Sequence, residues 1–273
     1  MNILYCGDSK VKDGLLISIL SLLKNVTVPV HIYVLTATIT TEDKQYQPIT
    51  AETIQVIADL MQQKDHRHRI TKVDVTELLK LDFPTQNLAT VFTPGCMLRL
   101  FADEVPEIPD KILYLDTDVI CRQNFVDFYE QDLTQLELVG VLDHYGKWFF
   151  HQQLDKLDYL NSGVLLLNLN MIRQTRLFAN CRQLCQTKKM FMPDQTALNK
   201  FIQARKIAPR RFNEQRRLHA NTVFQHFTTS FRFFPWIHTL TVKPWQVERM
   251  HDELKLYEYD DILTEYRQLV PRL

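Results

Sequence analysis

Glycine is scarce in this chain, six in 273 residues, which excludes collagen-like repeats and glycine-rich linkers. No apolar run approaches the roughly 20 residues a membrane-spanning helix needs. The first residues, Met1-Asn-Ile-Leu-Tyr-Cys-Gly-Asp8, lack the basic stretch followed by an apolar one that marks a secretory leader. An excess of one charge is missing as well. The 32 Lys and Arg balance 32 Asp and Glu, so no global field draws the chain to nucleic acid. Its basic clusters also lack the interleaved aromatics of a nucleic-acid groove, and no nucleic-acid partner is expected. The five cysteines, Cys6, Cys96, Cys121, Cys181 and Cys185, form no metal-type pair and are expected to be buried thiols. These absences lead to the expectation of a cytoplasmic protein. What is present is a core: 45% of residues are apolar and 11% aromatic.

Short apolar runs alternate with helical spacing along the chain. ILYC (3–6) stops at Gly7-Asp8, and Asp13 is placed to cap a helix carrying Leu15, Leu16, Ile19, Leu20 and Leu23 at helical intervals. Residues 28–37 and 68–75 read as strands around a helix at 50–64. A helical stretch near 96–104 precedes KILYLDTDV (111–119), and LVGVL (138–142) and GVLLLNL (163–169) are further buried-strand patterns. Helices are expected at 171–187 and from Asp194, a strand at 222–227, and amphipathic helices after Gln246. The pattern predicts an α/β fold with a mostly parallel sheet covered on both faces. The expected division is a nucleotide-binding domain at 1–245 and a helical appendage at 246–273.

In an open parallel sheet, ligands bind beyond the carboxyl ends of the strands. The polar residues that end the apolar runs are therefore the candidates: Asp8, Asp116, Asp118, Asp143 and His226. Such a gathering of acids is costly unless a cation joins it. Along a strand, residues i and i+2 share a face, so Asp116-Thr117-Asp118 is expected to present two carboxylates to one hard divalent cation. Asn161-Ser162-Gly163, at the entrance of an apolar run, offers donors and acceptors to a hydroxylated ligand. Pro193-Asp194-Gln195 starts a helix, where Asp194 could be an ordinary cap. Lys243-Pro244-Trp245 sets a lysine where it can meet a phosphate. The pairs Lys188-Lys189, Arg210-Arg211 and Arg216-Arg217 read as solvated faces. A sharper reading gives them peripheral contact with anionic lipid, at the inner face of the membrane, or with an acceptor glycan.

Taken in order, these segments resemble the family 8 retaining glycosyltransferases, which include bacterial lipopolysaccharide galactosyl- and glucosyltransferases and glycogenin. Arg99-Leu100 followed by YLDTDV, then NSGVLLLNL (161–169), PDQTALN (193–199) and KPW (243–245) are similar to four of its motifs across residues 1–245. The resemblance implies a GT-A nucleotide-sugar domain with Mn²⁺ (or Mg²⁺) and a UDP-hexose donor, glucose or galactose, and a saccharide or glycolipid acceptor. It implies that Asp116 and Asp118 bind the metal and Asp8 the uridine. Arg99, Thr117, Asp143, Asn161, Ser162, Asp194 and Gln195 would face the donor, and Lys243 the diphosphate. His226 is the favoured third metal ligand, with His238 the alternative, because the family's glycine between histidine and lysine is missing here. Val11 also stands where many members carry a tyrosine.

Two other classes are weaker. A sugar-nucleotide nucleotidyltransferase would want a glycine-rich phosphate loop after the first strand, and Gly7-Asp8-Ser9-Lys10 is too poor in glycine. A non-catalytic UDP-sugar-binding protein would be expected to lack a metal carboxylate, and both are present. For a retaining transfer, Gln195 is a poor nucleophile because it is an amide. Attack from the face that UDP leaves is therefore expected, with Asp194 and Gln195 stabilising positive charge. Acceptor contacts are expected from loops such as 144–158 and from the C-terminal helices.

Overall fold

A computed structural model describes residues 1–88, 94–144, 158–232 and 238–273. Seven strands form one sheet in the order β10-β8-β9-β6-β1-β2-β5. They are β1 (Asn2–Cys6), β2 (His31–Thr36), β5 (Arg69–Asp74), β6 (Lys111–Leu115), β8 (Leu138–Leu142), β9 (Leu160–Asn168) and β10 (Arg205–Ile207). The neighbours β5, β2, β1 and β6 are parallel, and β10 runs parallel to β8. Strand β9 lies between β6 and β8 and is antiparallel to both. Smaller pairs are β3 (Ile39–Thr40) with β4 (Gln45–Tyr46), β7 (Val119–Cys121) with β11 (Phe224–His226), and β12 (Ser230–Arg232) with β13 (His238–Leu240).

The near-continuous apolar strands follow from burial on both faces. Ile3, Tyr5, Val34, Leu113 and Leu166 turn toward one core, while Leu4, Tyr33, Leu35, Tyr114 and Leu165 turn toward the other. Helix α1 (Lys12–Asn25) and α2 (Ala51–Lys64) contribute to the first core. Helices α3 (Thr76–Leu81), α5 (Leu169–Thr175), α6 (Leu177–Thr187) and α7 (Pro193–Phe201) contribute to the second. A one-turn helix, α4 (Val126–Tyr129), also packs in the first core, as do α8 (Val247–Asp252) and α9 (Asp260–Leu269) of the tail. Tyr266 of α9 donates to Asp13 Oδ1 at 2.9 Å. Among the described residues, no helix is long and apolar enough to cross a membrane.

The helical stretch expected near 96–104 is present as a 3₁₀ segment at 94–104, buried nearly throughout. Three expectations are corrected. The helix at 171–187 is two helices, because Arg176 takes a left-handed conformation at φ 59° and breaks the run. Asp13 is no cap: it lies inside the first turn of α1, whose cap position is Val11. Strand β6 ends at Leu115, so Asp116-Thr117-Asp118 is a turn closed by Val119 N on Asp116 O at 3.1 Å. All five cysteines are free, and four of them are buried, with Cys96 half-buried.

Candidate active site

The turn at 116–118, and not strand alternation, brings the two carboxylates together. Their third partner comes from β11, which pairs antiparallel with β7 and sets His226 opposite Val119. His226 Nε2 lies 3.2 Å from Asp118 Oδ1 and 3.5 Å from Asp116 Oδ2. The ligand atoms of Asp116, Asp118 and His226 all lie within 4.8 Å of one another. Two carboxylate oxygens and one imidazole nitrogen are a donor set suited to a divalent first-row ion.

The imidazole is oriented from behind. Its Nδ1 faces two amide oxygens, Asn161 Oδ1 and Asn213 Oδ1, each at 3.2 Å. Among the described residues only acceptors face that nitrogen, which assigns the hydrogen to Nδ1 and leaves the Nε2 lone pair free to bind a metal. Asn213 Nδ2 also donates to Asn161 Oδ1 at 2.9 Å. Beneath the ring lies Gly163: a Cβ there would stand 2.1 Å from His226 Cε1 and 2.8 Å from Asp116 Oδ2. The glycine is needed for that close approach.

The reversed direction of β9 explains why Asn161 and Ser162 share this rim. In the parallel strands the rim is reached at the carboxyl ends, and in β9 it is reached at the amino end. Arg99 ties β9 to the turn. Its guanidinium bonds Asp116 Oδ1 at 2.9 Å, Asp194 Oδ2 at 3.2 Å and the Ser162 carbonyl, and stacks 4.1 Å from the centre of the Tyr114 ring. Burial works against its charge, but Asp116, Tyr114 and Asp194 outweigh this and hold it protonated.

Asp194 is therefore no ordinary helix cap: its carboxylate is bonded by Arg99, with Ser162 Oγ at 3.4 Å. Gln195 Oε1 accepts from Ser162 N at 3.0 Å and Oγ at 3.2 Å, and its Nε2 donates to Asp143 Oδ2 at 3.1 Å. Asn161 Nδ2 donates to the same Asp143 oxygen at 3.0 Å.

Lys243 closes the other side, with Nζ bonded to Asp118 Oδ2 and, at 2.9 Å, to the Phe227 carbonyl. Burial opposes ionisation of Asp118, yet Lys243 and His226 prevail and hold its carboxyl below the usual range. Trp245 packs on α1 where Gly14 leaves room; a Cβ there would meet the ring at 2.7 Å and the Thr117 carbonyl at 2.6 Å.

Asp8 stands apart from this network. It is buried, its Oδ1 accepts from Lys10 N at 2.8 Å, and its Oδ2 has no partner among the described residues. A buried acceptor of that kind lacks the donor that such groups normally have.

Arg99, Asp116, Asp118, Asp143, Asn161, Ser162, Asp194, Gln195, His226 and Lys243 thus form one continuous cluster. Thr117 supplies the turn, and the side chain of His238, at the start of β13, lies outside the described part. Most of the 144–158 loop lies outside it too. Sequence reasoning missed Asn213 and Tyr114, whose hydroxyl donates to Asp116 Oδ1. The one available signal for Asn213 was a polar Asn-Glu-Gln triplet enclosed by two arginine pairs.

The sequence pattern described as Glycosyl transferase family 8 matches residues 2–248. The chain is 31% identical over 142 residues to the probable glycosyl transferase Gly of Streptococcus gordonii, covering 47% of this chain and 20% of that protein. It is 42% identical over 72 residues to glycosyltransferase GlyA of Streptococcus pneumoniae serotype 4, covering 26% of this chain and 9% of that protein. The chain thus spans a fifth or less of the length of these relatives. Among solved structures, an active-site mutant of LgtC superposes with a TM-score of 0.73 at 20% identity, over 98% of this chain and 95% of that one. Galactosyltransferase LgtC in complex with donor and acceptor sugar analogs gives 0.66 at 20%, over 97% and 95%. Glycosyltransferase GlyE of Streptococcus pneumoniae gives 0.62 at 18%, over 98% and 63%. The fold is GT-A, and the chain belongs to glycosyltransferase family 8.

Proposed function

We propose that this glycosyltransferase moves a hexose from a UDP-hexose to a saccharide or glycolipid acceptor with retention, aided by Mn²⁺ or Mg²⁺. The observation that carries the reading is the convergence of Asp116, Asp118 and His226 beside Lys243. Three ligands with an oriented imidazole fit a divalent ion. When bound, that ion supplies Lewis-acid neutralisation of the departing diphosphate.

The chain's own groups do the rest. Lys243 adds a positive charge where the leaving group gathers negative charge. The unpartnered Asp8 carboxylate oxygen accepts from the uracil. Asn161, Ser162, Arg99 and Asp143 hold the hexose hydroxyls. The sugar passes through an oxocarbenium-like state, and Asp194 and the Gln195 carbonyl oxygen stabilise its positive charge. The Gln195 oxygen already accepts two hydrogen bonds, which makes it a poorer nucleophile still. Attack by the acceptor from the leaving-group face follows. A glycosyl-enzyme trapped on residue 194 or 195 would refute this route.

The test is UDP release from a panel of UDP-sugars, with and without Mn²⁺, for wild type and Asp118→Asn. The expected outcome is metal-dependent turnover of one donor, lost by about 10²-fold or more in the variant. Calorimetry of UDP binding covers the case in which the acceptor is absent. Metal-independent UDP binding, or none, ends the reading.

A further inference from the structure

His226 rides on β11, a strand of three residues that pairs with β7 outside the seven-stranded sheet. Its other edge makes a single bridge, from Gln225 to Glu214. A two-stranded pair of this size is marginal by itself. A metal ligand, however, needs its place fixed before the ion arrives. The amides on Nδ1 orient the ring, and the backbone that carries it needs a support of its own.

That support comes from the C-terminal tail. Tyr259, at the cap position before α9, is 2% exposed. Its hydroxyl donates to Gln225 Oε1 at 2.6 Å. Its ring meets that of Phe227 edge-on, with centroids 6.2 Å apart and planes at 69°. Gln225 and Phe227 are both buried and stand on either side of His226 in the chain, so one tail residue grips both neighbours of the ligand. Phe227 also leads into the site: its N–H donates to the Asp118 carbonyl at 3.0 Å, and its carbonyl accepts from Lys243 Nζ at 2.9 Å. Burial pushes the Tyr259 phenol well above its ordinary pKa, so the hydroxyl stays a donor. The grip is itself anchored. Helix α9 buries Ile262 and Leu263 in the first core and bonds Asp13 of α1 through Tyr266 at 2.9 Å.

We propose that Tyr259 is a positioning residue for the metal ligand His226, and that the tail thereby belongs to the candidate metal site. The proposal rests on the metal-assisted transferase reading above. With the hydroxyl in place, β11 is ordered before an ion binds. Without it, the ion must order the strand itself, and that loss of preorganisation shows as weaker affinity.

Calorimetric titration of Mn²⁺ into the protein with excess UDP tests it, on wild type, Tyr259→Phe and Tyr266→Phe. Each substitution deletes one hydroxyl from the same tail, but only that of Tyr259 bonds a β11 residue. A general loosening of the tail therefore acts in both variants. Mn²⁺ binding is expected to weaken about fivefold in Tyr259→Phe, the equivalent of one buried hydrogen bond, and by less than about twofold in Tyr266→Phe. An unchanged affinity in Tyr259→Phe overturns the proposal, and so does an equal loss in the two variants. Failure of wild type to bind Mn²⁺ refutes the metal-assisted reading itself, and the proposal with it. Wild-type binding with indifferent variants removes only the role of Tyr259.

Discussion

Among the described residues two arginines are buried, and their surroundings differ in an instructive way. Arg182 on α6 is 4% exposed and bonded to Asp82, Asp103 and Glu104 and to the Leu100 carbonyl, with Phe101 5.2 Å from its guanidinium. Arg99 on the 3₁₀ segment is 2% exposed and bonded to Asp116, Asp194 and the Ser162 carbonyl, with Tyr114 beneath it. Both are guanidiniums fully supplied with acceptors over an aromatic face. Burial, pairing and ring stacking therefore do not distinguish a site from a clamp. The difference lies in the carboxylates. Those of Arg182 end in α6 and the chain around it, whereas Asp116 also faces His226 and Asp194 also faces Ser162.

The largest effect is expected from Arg182→Ala. Removing one member of a buried charge cluster destabilises by about 3–5 kcal/mol, which lowers the melting temperature on the order of 10 °C. Turnover per folded molecule should stay near wild type, and a matching loss of kcat would erase the distinction. Arg99→Lys comes next: the charge remains but the fork cannot bond Asp116, Asp194 and Ser162 together. A fall of about 10²–10³-fold in donor turnover is expected, with a smaller melting shift than in Arg182→Ala. The smallest effect separates the two aromatic supports. Tyr114→Phe gives Arg99 the same apolar partner that Arg182 has in Phe101, and removes only a donor to Asp116. About tenfold weaker metal binding is expected, read by calorimetry, with little change in melting. No change in metal affinity would reduce Tyr114 to packing alone.

The apolar runs were legible because strands buried on both faces need no polar alternation, so each appeared as an uninterrupted block. Their direction was not. A run such as GVLLLNL reads the same whether it lies parallel or antiparallel, and the reversal of β9 is what carries Asn161 to the rim. Asp116 and Asp118 were legible as a pair, but the reason was wrong, since a turn and not a pleat joins them. Asp194 looked like a helix cap, and only Arg99, remote in sequence, reveals otherwise. Asn213 and Arg182 were invisible for the same physical reason: a single polar residue has no periodicity, and its meaning lies in partners that the fold supplies.

The bridge from Lys243 to Asp118 joins residues 125 positions apart, and His226 must arrive from the same late portion of the chain. Contacts of such span require loop closure before they contribute any stabilisation. Strands β1, β2, β5 and β6 are all synthesised before them. A nascent chain can therefore hold a large part of its sheet while its candidate rim remains open. On the proposed reading, the site is complete only once β11 pairs with β7 and Trp245 settles against Gly14. Measured during refolding, metal binding would report completion of the whole molecule and not the formation of its core.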